Sequence, residues 1–569
     1  MIRIPALFLG IVCYANVAVA QTPARYDIVI NEIMADPSPQ VGLPNHEWIE
    51  LYNRSATAIS LTGWRITDAG SQSGPMPVYT LQPGSYVIVC ASGSATAMNV
   101  YGPVIAVTSF PSLDNAGDII SIKSAQNTII HSVSYTDSWY RNELKKEGGW
   151  TLEMMDSNNP CSGYSNWTAS NDNRGGTPGT KNAAAAQNPD DTAPKLLRAF
   201  ATDSLNITLV FDEPLDSSSA VNPSIYNISD GIGMPASVNV AAPAFDKVNL
   251  RLNNALLRKK IYMVTVDAAA DCMGNRSGSQ MARAGLSEQA GSNDIIVNEI
   301  LFNPKANGTD YVEIYNRSNN IADLKQIYIA NRNSTGVISN IKQVSAENYL
   351  LFPQEFMVLT EDLLAIKKDF ITKNPDAFIT IASMPSFNDD EGDVILLNAQ
   401  GAITDELQYN QNWHFSLLSN TEGIALERID YNVATQLKDN WHSAAASAGY
   451  GTPGYKNSQY RTSDQPKGEI TVSPEIISPD NDGRDDFATV SYRFPSPGYV
   501  ASITVFDAAG RPVRYLQRNA LCGITGNFVW DGLGEKKQAL PAGIYIIYTS
   551  IFNTAGKKKA FKNTIVVAK

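Results

Sequence analysis

Two neighbouring stretches decide the fold: Ile30-Asn31-Glu32-Ile33-Met34, and then Glu47-Trp48-Ile49-Glu50-Leu51-Tyr52-Asn53-Arg54-Ser55. In the second, side chains alternate with the period of two that marks a strand, so Trp48, Glu50 and Tyr52 share one face and Ile49 and Leu51 the other. Both stretches return later in the chain, as Val297-Asn298-Glu299-Ile300-Leu301 and Asp310-Tyr311-Val312-Glu313-Ile314-Tyr315-Asn316-Arg317-Ser318. Pro111-Ser112-Leu113 with Gly117-Asp118-Ile119-Ile120 is matched by Pro385-Ser386-Phe387 with Gly392-Asp393-Val394-Ile395. Each copy closes alike, on Asn166-Trp167 then Gly176-Thr177-Pro178-Gly179, and on Asn440-Trp441 then Gly451-Thr452-Pro453-Gly454. The offsets are 298 − 31 = 267, 313 − 50 = 263, 393 − 118 = 275 and 452 − 177 = 275. So small a drift means one duplicated domain with short loop insertions.

Short runs rich in Val, Ile and Tyr alternate with Gly, Pro, Asn and Ser clusters in both copies, and a helical period is kept only near Thr360–Thr372. Many short strands with frequent turns must bury one face of each sheet against another, so the expected class is all-β, built of tandem Ig-like β-sandwich domains. The succession Asn-Glu-Ile, Glu-Trp-Ile-Glu-Leu-Tyr-Asn-Arg-Ser and Leu61-Thr62-Gly63-Trp64-Arg65-Ile66-Thr67-Asp68 resembles the lamin tail domain, an Ig-like β-sandwich of nuclear lamins and many secreted bacterial proteins. The first copy spans 26–184 and the second 292–459. The second departs from the pattern at Leu324-Lys325-Gln326-Ile327-Tyr328-Ile329.

Between the copies, Asn182–Pro194 is a linker into a separate strand-rich unit at 192–285. Phe211-Asp212-Glu213-Pro214-Leu215, Asn222-Pro223 with Tyr226, and Asp271-Cys272-Met273-Gly274-Asn275 resemble bacterial Ig-like domains of surface-layer and adhesin type, which implies a spacer. A last unit covers 466–569. Its Phe506-Asp507, Gly510-Arg511-Pro512-Val513, Trp530-Asp531-Gly532 and Leu540-Pro541-Ala542-Gly543-Ile544-Tyr545 resemble two Ig-like families. One is the Ig-like domain of the flagellar-hook capping protein, and the other is the C-terminal sorting domain of the type IX secretion system of Bacteroidetes. The second resemblance implies passage over the outer membrane by way of the secretion machinery.

The chain of 569 residues carries 44 Lys and Arg against 56 Asp and Glu, a net charge of −12. An acidic balance disfavours a nucleic-acid partner, which requires a net basic footprint. Residues 501–569 run the other way, with ten basic and three acidic residues, a local +7. Met1-Ile2-Arg3, an apolar run to Val19 and Ala18-Val19-Ala20 read as a signal peptide over residues 1–20, cleaved between Ala20 and Gln21. No later run is long enough for a membrane span. Of the remaining cysteines, Cys90 and Cys161 fall in the first domain and could bridge, with a buried free thiol at Cys90 as the alternative.

Three groups of residues are candidates for chemistry. Asp480-Asn481-Asp482-Gly483-Arg484-Asp485-Asp486 places Asp480, Asp482 and Asp485 around a turn, a calcium-like donor set; an Asx-stabilised turn accounts for the same residues without metal. Glu32 with Glu47 and Glu50 recurs as Glu299 with Asp310 and Glu313. Paired carboxylates could act as acid and base, but nothing nucleophilic accompanies them, and the structural reading is that they accept backbone hydrogen bonds and fix the sandwich. Trp64, Trp150, Trp167 and Trp441 suggest either a carbohydrate platform or core packing, the latter favoured for Trp167 and Trp441 at equivalent positions. A G-x-S-x-G elbow, a P-loop and a dinucleotide fingerprint are all missing, so no catalytic residue is assigned. The expectation is a secreted or cell-surface, non-enzymatic binding or adhesion protein acting on an extracellular protein or glycan. The alternatives are an accessory component of an extracellular hydrolase or nuclease system and a purely structural envelope or matrix protein.

Overall fold

A computed structural model describes residues 23–461 and 468–568. The expected signal peptide, with Ala20 and Gln21, lies outside the described residues. The chain divides into two compact units. Among the described residues, one comprises 23–255 with 262–283, and the other comprises 256–261 with 284–461 and 468–568.

In the first unit, strand Ile28–Met34 sits inside a six-stranded sheet in the order Trp167–Ala169, Leu152–Met154, Ile28–Met34, Trp48–Asn53, Tyr86–Ala91, Val104–Val107. A three-stranded sheet of Arg65–Thr67, Gly117–Lys123 and Ile129–Thr136 packs on its inner face. Ile49, Leu51, Val87 and Val89 from one sheet meet Ile66, Ile120, Ile122 and Val133 from the other in a single core. The outer face of the large sheet is also covered: Trp48, Ile88 and Cys90 pack with Leu43 and Met98. The period-two reading of Trp48–Tyr52 is therefore realised with both faces buried, which is why the strand carries so few charges.

The second unit repeats the sheet strand for strand: Trp441–Ser443, Leu426–Arg428, Ile295–Leu301, Tyr311–Asn316, Phe356–Thr360, Phe378–Thr380, with the last pair again parallel. Its inner partner has four strands, Ile338–Gln343, Ile327–Arg332, Glu391–Asn398 and Ile403–Asn410. The helical period near Thr360–Thr372 becomes helix Leu363–Asp369, started by Asp362, whose carboxylate accepts from Leu364 N at 2.8 Å and Ala365 N at 3.0 Å. It lays Ile366 and Phe370 against Tyr311 and Val358 on the outer face.

The Ig-like region also forms two sheets, one of four strands within Leu196–Arg251 and one of Tyr226–Ile228, Tyr262–Val266 and Gln280–Ala284. The C-terminal region packs a three-stranded sheet (Glu469–Ser473, Ala488–Arg493, Thr525–Trp530) on a five-stranded one around Phe494, Val505, Trp530 and Ile547.

The cysteine pairing differs from the expectation. Cys161 bonds to Cys272 of the Ig-like region, with Cα atoms 6.2 Å apart, while Cys90 and Cys522 are buried free thiols. Cys90 belongs to the outer-face cluster and Cys161 to the inner core, so the large sheet stands between them. The bridge closes a loop of 111 residues and is reinforced by Arg25, whose guanidinium lies 3.7 Å from the centre of the Phe245 ring and donates to the Leu215 carbonyl at 3.4 Å. Replacing both bridge cysteines with serine is expected to cost about 2–4 kcal/mol, read by urea unfolding of the full chain. Non-reducing peptide mapping of the unaltered chain should recover the Cys161 and Cys272 peptides linked, and a Cys90-containing link would refute the pairing.

Candidate functional site

The repeated Asn-Glu-Ile motif sits at a β-bulge in both copies. The pairing of Ile28–Met34 with Trp48–Asn53 shifts between Ile30 and Glu32, and that of Ile295–Leu301 with Tyr311–Asn316 shifts between Val297 and Glu299. One extra residue lets consecutive side chains reach the same face. Asn31 Nδ2 donates to Glu50 Oε1 at 3.0 Å, and Asn298 Nδ2 to Glu313 Oε1 at 2.6 Å. Register then places three glutamates in a row across the sheet: Glu153, Glu32 and Glu50 in the first copy, Glu427, Glu299 and Glu313 in the second. All six are fully buried.

The closing Gly-Thr-Pro-Gly segment folds over this row. Thr177 N donates to Glu32 at 2.7 Å, Thr177 Oγ1 to Glu153 at 2.8 Å and Gly179 N to Glu50 at 2.5 Å. Thr452 N donates to Glu299 at 2.9 Å, Thr452 Oγ1 to Glu427 at 2.9 Å and Gly454 N to Glu313 at 2.6 Å. Asn182 and Asn457 clamp the bulge from above, each donating to the bulged asparagine's carbonyl. Both outer positions of the motif need glycine. A Cβ on Gly176 would stand 2.7 Å from Glu32 Oε1, and Gly179 has φ +80°.

Burial pushes Glu50 and Glu427 up to about 8 and Glu32, Glu299 and Glu313 in the same direction, and the charges of neighbouring glutamates add to it at Glu32, Glu50, Glu313 and Glu427. Oε2 of Glu32 has no hydrogen-bond partner among the described residues, a place where a proton can reside. The row is therefore a closed lock, with all six glutamates shut away from solvent. The sequence pairing of Glu47 and Asp310 with this group is corrected. Glu47 accepts instead from Leu113 N at 3.1 Å in a loop, Asp310 lies in a separate acidic setting with Asp389 and Glu361, and the third members are Glu153 and Glu427. A signal for them exists: Leu152-Glu153 and Leu426-Glu427 both stand fourteen residues before the closing tryptophan.

Two further acidic groups converge, each with ligand atoms within 4.8 Å of one another. One is Asp480, Asp482 and Asp486, so Asp486 replaces the expected Asp485. Asp485 instead takes φ +55° and offers its carbonyl to Ser478 N. Asp486 accepts from Asn481 N and Gly483 N, Asp480 from Asp482 N and Asp482 from Arg484 N, a set of Asx turns that closes on itself. The other group is Asp190, Glu213 and Asp271 in the first unit. Asp271 there accepts from Met273 N, Asn275 N and Asn275 Nδ2, and burial, with like charges around it, pushes Glu213 up to about 8. Trp64, Trp167 and Trp441 are core residues, and Trp150 packs at the core's edge under the Lys145 ammonium. They form no platform.

Family comparison matches the Lamin Tail Domain at residues 21–137 and 288–411 and the Bacterial Ig-like domain at 182–284. The chain thus carries two lamin tail domains flanking a bacterial Ig-like domain, and both lamin-tail matches stop short of the third glutamate and the closing segment. Comparison with curated protein sequences gives no match. Among solved structures, the N-terminal part of the bacterial S-layer protein SbsC shares 17% identity over 29% of this chain and 44% of its own, with a TM-score of 0.16. A DUF4876 family protein from Bacteroides thetaiotaomicron VPI-5482 shares 14% over 33% and 78%, with a TM-score of 0.18. The chain spans about half the length of the S-layer proteins it matches.

The lock fixes a pH dependence. The folded chain holds protons on carboxyls that the unfolded chain releases near 4.3, so this contribution is complete below that value and is lost as pH rises through about 8. Urea unfolding should show lower stability at pH 9 than at pH 5. Glu50→Gln should flatten that slope while costing about 1–3 kcal/mol, because its amide NH2 meets an N–H donor. The Asx loop predicts that millimolar calcium leaves the melting temperature unchanged; a rise that Asp482→Asn abolishes would instead make Asp480, Asp482 and Asp486 a calcium site.

Proposed function

We propose that this chain is a secreted or cell-surface, non-enzymatic binding and adhesion protein. In this reading two lamin tail modules present the binding surface, the Ig-like region acts as spacer, and the C-terminal domain directs the chain over the outer membrane as a sorting domain of Bacteroidetes type does. The observation that carries it is the Cys161–Cys272 bond, since a structural disulfide persists in oxidising compartments and is rare in the cytosol. The carboxylate rows add support. The residues that most resembled acid–base pairs are spent on holding each domain shut. Among the described residues no helix is long and apolar enough to cross a membrane.

Fractionation of producing cells with mass spectrometry of both termini tests the reading. The expected product lies on the surface or in the medium, begins at Gln21 and has lost about residues 466–569. An intact Lys569 in the periplasm would defeat the sorting role, and reduced Cys161 in a cytosolic pool would defeat export altogether.

A further inference from the structure

In the second unit a cleft of about 860 Å³ opens between the closing segment of the second lamin tail domain and the outer face of the sheet containing Ala488–Arg493 and Thr525–Trp530. That volume suits a ligand of several rings better than a single small ion. Its charge runs against that of the chain. In a protein of net −12, the cleft presents Lys373, Lys456 and Arg493, and among the described residues that line it none is Asp or Glu.

All three cations are exposed, and among the described residues none takes part in an ion pair. Two are held by aromatic faces instead: Lys373 Nζ lies 4.3 Å from the centre of the Tyr455 ring, and Lys456 Nζ 4.1 Å from that of Tyr460. A ring face orients an ammonium without neutralising it, so the hydrogen-bonding capacity toward an anion is kept. The sheet wall adds neutral donors and acceptors in register, with Arg493 opposite Thr525 and Ser491 opposite Asn527. On the floor, Thr452 and Ser458 donate to the fully buried Glu299 and Glu427, whose burial favours the uncharged form and so weakens their repulsion of a negative ligand.

We propose that this cleft binds an acidic polysaccharide, its carboxylate or sulfate groups on Lys373, Lys456 and Arg493 and its hydroxyls on the Ser, Thr and Asn side chains of the sheet wall. Single-stranded nucleic acid fits less well, because bases stack on free aromatic faces and these tyrosines already carry the lysines. The inference rests on the reading of the chain as a binding protein and names the ligand class of that reading.

Affinity electrophoresis of the full chain through gels holding polygalacturonate, dextran sulfate or neutral dextran tests it, with oligo-dT as a competitor and adhesion to producing cells measured in parallel. Retardation is expected in one or both acidic polymers, weakening with salt, and none in dextran. Retardation in only one acidic gel identifies carboxylate or sulfate as the recognised group. The exposed double variant K456A/R493A should bind roughly tenfold more weakly at an unchanged melting temperature, and K456R/R493K should retain binding. Equal binding by K456A/R493A, equal retardation in dextran, displacement by oligo-dT, or no retardation in either acidic gel would overturn the assignment. In that last case, adhesion that persists leaves the binding reading standing without this cleft, and adhesion that is also absent removes both.

Discussion

Three glutamates lying side by side inside a β-sheet are the constraint on which each lamin tail domain depends. Burying ionised carboxylates costs several kcal/mol apiece unless they are paired or neutralised, and like charges directly opposite across strands repel. The chain eases this cost where burial shifts the carboxyls toward their protonated form, and by turning the ends of the domain inward. The first strand supplies Glu32, the second Glu50, a late strand Glu153, and the closing segment brings the N–H and hydroxyl groups that all three require. Remote parts of the sequence are thereby tied to one point, and the closing Gly-Thr-Pro-Gly becomes as much a part of the sheet as its strands.

The two copies reach the same satisfaction by different chemistry. Glu32 receives a hydroxyl from Thr151, and the second copy has Ala425 at the equivalent place. There the missing donor comes from Tyr311, whose hydroxyl donates to Glu299 at 2.6 Å where the first copy has Trp48. The backbone N–H ahead of the bulge shows the same exchange. Ile30 N donates to the neutral ring of His131 at 2.8 Å, whereas Val297 N donates to Asp405, itself beside the buried Arg428. A buried donor must be satisfied, but the group that satisfies it is free to vary.

Outside the lock the two units carry different surfaces. The first ties its lamin tail domain to the Ig-like region through a disulfide and a stacked arginine. The second opens a cationic cleft beside its closing segment, where Gly454 N donates to the buried Glu313. In both, the buried carboxyls tie the closing segment to the sheet.

The duplication, the all-β class and the two-faced strand at Trp48–Tyr52 were legible in the residues, because strand period and repeat spacing are local properties of a chain. Glu32, Glu50 and their counterparts were legible as a recurring pair for the same reason. The third glutamate left only the matched spacing of Glu153 and Glu427 to the closing tryptophans, and the pairing of Cys161 with Cys272, the substitution of Asp486 for Asp485 and the cationic cleft left no trace there. Each depends on which remote segments the folded chain brings within a few ångströms, and on which side of a sheet a side chain emerges. One bulged residue reverses that side, so composition and spacing alone determined the kind of domain, while the tertiary structure decided which charges meet, which are buried and which stay free to bind.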